Sequence, residues 1–187
     1  PAGLVAGDRP EWGLVAVSHV AALVAAAAMI AYVRQRRDDT GLTNPRESLR
    51  MERLVGLSLA LWPAGFVLVF AYAESLLLAL TTLAALAARQ RRWGTAAVLG
   101  LLAGAVRPTG MALVFFLAVV VWGERRRGAT PFLAPVAVLA PVLGFALHLG
   151  SVWAWGSSWR SPVDVQQPLR GAVVDPFRRI ATGVADL

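Results

Sequence analysis

The chain has 187 residues, 57% of them hydrophobic, and a mean hydropathy of +0.61, well above what a water-soluble globular domain carries. Eighteen basic residues against eleven acidic ones give a formal net charge of +7, and every basic residue is an arginine. The arginines stand in short clusters beside apolar runs rather than on an arginine-rich face interleaved with aromatics, which argues against nucleic acid as a partner and for a lipid bilayer as the solvent. With no cysteine, disulfides, thiolate metal sites and a cysteine nucleophile are excluded. The chain opens on Pro1 with no charged leader before its first apolar run, and reads as an excerpt of a longer protein.

In chain order, Trp12–Val33 is an apolar run of 22 residues broken only by Ser18 and His19, enough to cross about 30 Å of hydrocarbon at about 1.5 Å per residue. Arg34-Gln35-Arg36-Arg37 stops it. The stretch to Arg53 reads as a charged loop with its turn at Gly41, Asn44 and Pro45. Leu54–Tyr72 is a second span of 19 residues, with Pro63 and Gly65 as a kink, and it brings the chain to Glu74. Ser75–Ala88 returns toward the knot Arg89-Gln90-Arg91-Arg92-Trp93. Its 14 residues rise only about 21 Å, which sets Glu74 below the membrane surface.

Thr95–Trp122 is divided by Arg107-Pro108-Thr109-Gly110 into two short arms. A single crossing would put Arg89–Arg92 and Arg125–Arg127 on opposite sides; a hairpin puts both with Arg34–Arg37, leaving Arg107 at its tip. The positive-inside rule selects the hairpin, with 12 arginines inside and 6 outside. Pro131–Gly150 is the last span, and Trp153, Trp155 and Trp159 mark a headgroup layer beyond it. The expected fold is therefore an all-α polytopic membrane protein with about six membrane-embedded helices including a short hairpin. Residues 1–150 form the transmembrane region, and 151–187 an outward-facing loop or interfacial segment.

Two polar groups stand apart from the basic clusters. Glu74 is either an acid complementing the first turn of its helix or an intramembrane carboxylate facing a cavity, where a charge costs about 2.5–3.5 kcal/mol near mid-bilayer. Arg107 is either a helix C-terminal cation, a partner for Glu74 or a phosphate ligand, and the last two are compatible. His19 and His148 have no second ligand at metal spacing and are expected to be buried and structural; no metal site is expected. Gly100 and Gly104 make a small-xxx-small packing face.

The succession Leu61-Trp62-Pro63-Ala64-Gly65-Phe66, Tyr72-Ala73-Glu74-Ser75-Leu76, Arg89 through Trp93 and Arg107-Pro108-Thr109-Gly110 resembles the PIG-V-type mannosyltransferases of the GT-C class. The likeness is clearest over residues 54–122. It extends more weakly to Trp12–Val33 and to Val165-Gln166-Gln167 through Arg170-Gly171. The resemblance implies a GT-C-like membrane enzyme that moves mannose from polyprenyl-phosphate-mannose to a lipid-linked or glycan acceptor, with its active face outside a bacterial cell membrane. It assigns Glu74 to sugar or acceptor recognition, Arg107 to the carrier phosphate, and Tyr72 and Thr109 to supporting hydrogen bonds, with Gln166 and Arg170 as further substrate-binding residues. No cofactor is implied beyond the donor. The class places its catalytic base in an outer loop after its first transmembrane helix, a loop not identifiable here, so the fragment alone is not expected to catalyse. The competing expectations are a transporter or flippase-like fragment, with Glu74 and Arg107 lining its path, and a silent scaffold in which the pair only sets helix register.

Overall fold

The computed structural model describes residues 10–40, 45–61, 73–128 and 132–156. Its elements are α1 (Pro10–Thr40), α2 (Pro45–Leu61), α3 (Ala73–Arg89), α4 (Trp93–Val106), a 3-10 turn (Pro108–Ala112), α5 (Leu113–Arg126) and α6 (Ala134–Gly156). No strand occurs among the described residues. The chain divides into two compact units, Pro1–Leu147 and His148–Leu187. In the second, the described residues are the last turns of α6, where the Ser151 hydroxyl donates to the His148 carbonyl at 2.7 Å.

Three stretches are long and apolar enough to cross a membrane, Trp12–Gln35, Pro108–Arg126 and Ala134–Trp155, and Trp93–Val106 is a shorter apolar helix. This is the composition of an integral membrane protein, with fewer full-length spans among the described residues than the six membrane-embedded helices expected. Three boundaries differ from the sequence reading. The charged loop is largely helical, because α1 runs on to Thr40 and α2 begins at Pro45, where proline is at home in a first turn and Glu47 complements the helix dipole. At 31 residues α1 is about 46 Å long, so its arginine-rich end projects beyond any apolar slab of about 30 Å. The 3-10 turn joins α5 in a stretch of 19 residues, so this arm of the hairpin is longer than the sequence suggested. Finally, α6 continues past Gly150 and carries Trp153 and Trp155 on helix. Most of the second expected span, from Trp62 to Tyr72, lies outside the described residues.

Helix directions follow from a few contacts. Ala21 and Ala25 of α1 pack with Ala79 of α3, and the Arg89 guanidinium lies 5.5 Å from the centre of the Tyr32 ring, so α1 and α3 run in parallel. A tight turn then reverses the chain. Arg92 N–H bonds to Ala87 O at 2.9 Å and Arg91 N–H to Ala88 O at 3.0 Å, a Schellman-type end with Arg91 in the left-handed region at φ 58°. That residue is usually glycine. Here the side chain has a use: Arg91 pairs with Glu124 near the end of α5 at 2.7 Å, and Arg127 reaches the same carboxylate at 3.5 Å. The start of α4 therefore lies beside the end of α5, and the two are antiparallel, as the charge pattern required. Arg34 joins α1 to Glu52 of α2 at 2.8 Å. All these ion pairs gather at one end, the basic end.

The interior is made of small residues and the exterior of large ones. Among the described residues, twelve of the sixteen buried hydrophobic side chains are alanines, while Leu23, Phe115, Val119, Trp122 and Leu139 are exposed. Water would reverse that order. In hydrocarbon, outward leucines cost nothing, and association comes from close backbone packing. One such close approach joins α4 to α6. A methyl group on Gly104 would overlap the Pro141 carbonyl, one on Gly144 would overlap the Leu101 carbonyl, and Pro141 packs over Gly100. The expected glycine face of α4 is thus a packing face, with Gly144 as its counterpart. Gly104→Ala or Gly144→Ala should lower unfolding stability in detergent by about 1–3 kcal/mol. Gly123→Ala, a helical glycine with open space around it, should be neutral or stabilising by up to about 1 kcal/mol. Equal effects at the three positions would refute this packing.

Candidate functional site

The site begins with a backbone constraint. A residue before proline is pushed out of helical geometry, so α4 ends at Val106 and Arg107 is extended at φ −153°, ψ 148°. Pro108 then opens the 3-10 turn, and Gly110 N–H bonds back to Arg107 O at 2.9 Å. The turn folds against α4 so closely that a methyl group on Gly110 would overlap the Ala103 carbonyl. Released from the helix, the Arg107 side chain reaches the first turn of α3, where its Nη1 donates to Glu74 Oε1. Residues 33 positions apart are joined at the end of the bundle opposite the arginine clusters.

The two side chains are part-buried, 38% exposed for Arg107 and 32% for Glu74. Glu74 is favoured twice, by the positive end of α3 and by the guanidinium. Its second oxygen, Oε2, is buried and accepts no hydrogen bond, and the hydroxyl of Ser75, the following residue, is fully buried without a partner. A buried polar atom left unpaired costs about 1–3 kcal/mol. The contrast within α3 is direct: Thr81 bonds back to Leu77 O at 2.8 Å and Thr82 to Leu78 O at 2.7 Å, each hydroxyl satisfying itself on its own helix. Ser75 does not. The guanidinium has five N–H donors, and the Glu74 contact engages a single nitrogen. The pair thus leaves both cationic donor capacity and an anionic acceptor at one place.

Of the residues expected here, Glu74 and Arg107 are brought together and Thr109 is exposed on the 3-10 turn between Pro108 and Gly110. Tyr72, Gln166 and Arg170 lie outside the described residues. His19 is a correction: it is exposed on α1 rather than buried, and its Nδ1 lies 2.8 Å from Val15 O of the same helix, because the small-residue face of α1 and not its polar position is what packs inward. No group of three or more histidines, cysteines and acids at metal-binding range occurs among the described residues. Two contributors had no role in the sequence reading. Ser75 carries a faint signal, lying four residues before buried Ala79 and hence on the same face of α3. Glu124 looks like one acid in an arginine run, and only the fold reveals Arg91 beside it.

Comparison of the chain with family models, with curated proteins and with solved structures finds no match. The site is therefore interpreted from its own geometry. Two measurements check that geometry. Single cysteines at Gly94 and Thr109, both exposed, should react with an impermeant reagent from opposite sides of the membrane, since they stand at opposite ends of α4. In a double-mutant cycle, Glu74→Ala and Arg107→Ala should couple by about 1–2 kcal/mol, between the values for exposed and buried pairs. Additive losses would mean that the contact contributes nothing.

Proposed function

We propose that this chain forms part of the core of a membrane glycosyltransferase that takes mannose from polyprenyl-phosphate-mannose and passes it to a lipid-linked or glycan acceptor outside the cytoplasm. The observation that carries the reading is the Arg107–Glu74 pair with its spare donors and its buried, unengaged Glu74 Oε2. A sugar and a phosphate need both halves, hydroxyls donating to a carboxylate and phosphate oxygens accepting from a guanidinium.

In this transfer an acceptor hydroxyl oxygen attacks the anomeric carbon of the mannosyl group. The bond from that carbon to the phosphate oxygen breaks, and its electron pair leaves with the polyprenyl phosphate. Arg107 meets the charge that grows on the departing phosphate, a stabilisation that matters most where water is excluded. Glu74 Oε2 orients a hydroxyl of sugar or acceptor, and Thr109 stands on the turn that follows Arg107. The proton of the attacking hydroxyl requires a general base, which this reading assigns to a residue outside the chain. The succession of Tyr-x-Glu-Ser, basic knot and Arg-Pro-Thr-Gly, which resembles that of PIG-V-type enzymes, supports the same reading.

The experiment is transfer from polyprenyl-phosphate-mannose by the complete protein carrying Glu74→Gln, Arg107→Lys or Arg107→Ala. Loss of a preorganised charge contact at the reacting centre is expected to lower kcat by about 100-fold or more. Arg107→Lys should fall between wild type and Arg107→Ala, because it keeps the charge and loses the planar fork. Size-exclusion profiles should be unchanged. Full transfer by both Glu74→Gln and Arg107→Ala would remove the pair from the site.

A further inference from the structure

At the basic end, residues of α5 and α6 line an open groove of about 350 Å³. Ala118, Val121 and Trp122 of α5 form one wall, Val138 and Leu139 of α6 the other, and Arg125 stands at the mouth. The α5 positions recur at intervals of three and four, so they are a continuous stripe down one helix face. The groove is apolar along its length and cationic at one end.

Three observations identify its occupant. First, Arg125 makes no ion pair among the described residues, although its neighbours are engaged: Arg127 contacts Glu124, and the Arg126 guanidinium lies 5.4 Å from the centre of the Trp122 ring. Second, Trp122 and the arginine cluster mark the level where apolar helix meets headgroups, at the end of the candidate span Pro108–Arg126. Third, apart from Arg125 the lining is apolar from Ala118 to Leu139, the chemistry that an acyl chain requires.

We infer that this groove binds an anionic phospholipid of the leaflet at the basic end, with its phosphate on Arg125 and one acyl chain along Val121, Ala118, Val138 and Leu139. A basic pocket between helices at the headgroup level favours a negative headgroup, at about 1 kcal/mol per arginine, or about fivefold in affinity. The inference is independent of the transfer reaction proposed above, since Arg125 and Arg107 lie at opposite ends of the bundle.

The test is native mass spectrometry of the complete protein titrated with phosphatidylglycerol or phosphatidylcholine of the same acyl composition. Phosphatidylglycerol should be retained about fivefold more strongly. Arg125→Ala should abolish that preference, Ala118→Trp should fill the groove and lower retention of phosphatidylglycerol, and Arg92→Ala, another exposed arginine at the same end, should change neither. Inorganic phosphate at millimolar concentration should not displace the lipid. Equal retention of the two lipids by the wild-type protein overturns the inference even where a variant fails to fold. So does a preference that survives in Arg125→Ala, or displacement by free phosphate.

Discussion

The arrangement depends on one steric conflict, between the ring of Pro108 and helical geometry at Arg107. It ends α4 after 14 residues and turns the chain back as the 3-10 turn and α5. It also frees an arginine side chain that an unbroken helix would have pointed along its own surface. Every later feature follows from that release. The arms return antiparallel, so Arg91 meets Glu124 at one end, while Arg107, at the other end from Glu124, pairs with Glu74 on α3. Gly110 makes the reversal tight enough for the 3-10 turn to lie on the Ala103 carbonyl. A helix continuing through Arg107 would carry Glu124 to the far end from Arg91 and part Arg107 from Glu74.

Much of this was legible because membrane proteins write topology in charge. The clusters at Arg34, Arg89 and Arg125 read together gave the direction of α1, α3, α4 and α5, and therefore the hairpin, without any knowledge of packing. What charge could not convey was where helices stop. The residues from Arg46 to Arg53 look like a loop because they are polar, yet polarity disfavours only hydrocarbon and not helix; beyond the apolar slab α1 and α2 continue as charged helices joined by Arg34 and Glu52. The same error set the end of the last helix at Gly150, where tryptophans mark an interface that a helix can pass through.

The site was half legible for a related reason. Arg107 and Glu74 are conspicuous because a lone charge in an apolar run asks for an explanation, and the explanation available from sequence, that the two meet, holds in the fold. Ser75 was not conspicuous. A serine in an apolar helix usually satisfies its hydroxyl on the preceding turn, as Ser58 does on Leu54 O at 2.6 Å, and only the arrangement of neighbours distinguishes Ser75, which does not. The packing partner of Gly104 was hidden likewise, since α4 shows its glycine spacing while Gly144 stands alone in α6.

The two ends of the bundle differ in how charge is balanced, and that difference separates their chemistry. At the basic end the acids are outnumbered: Glu52 and Glu124 are largely buried against arginines that remain exposed, and Arg125 is left over. A surplus of exposed cations at headgroup level attracts anionic headgroups over a distance. At the opposite end one acid meets one arginine, both part-buried, and the imbalance is in hydrogen-bonding capacity rather than in charge. A neutral pair with a vacant acceptor and vacant donors exerts little long-range attraction, yet it discriminates sharply at contact, because a partner that cannot both donate and accept leaves buried groups unpaired. A phosphate-linked sugar, whose phosphate oxygens accept and whose hydroxyls donate, carries both of the groups that such a pair lacks.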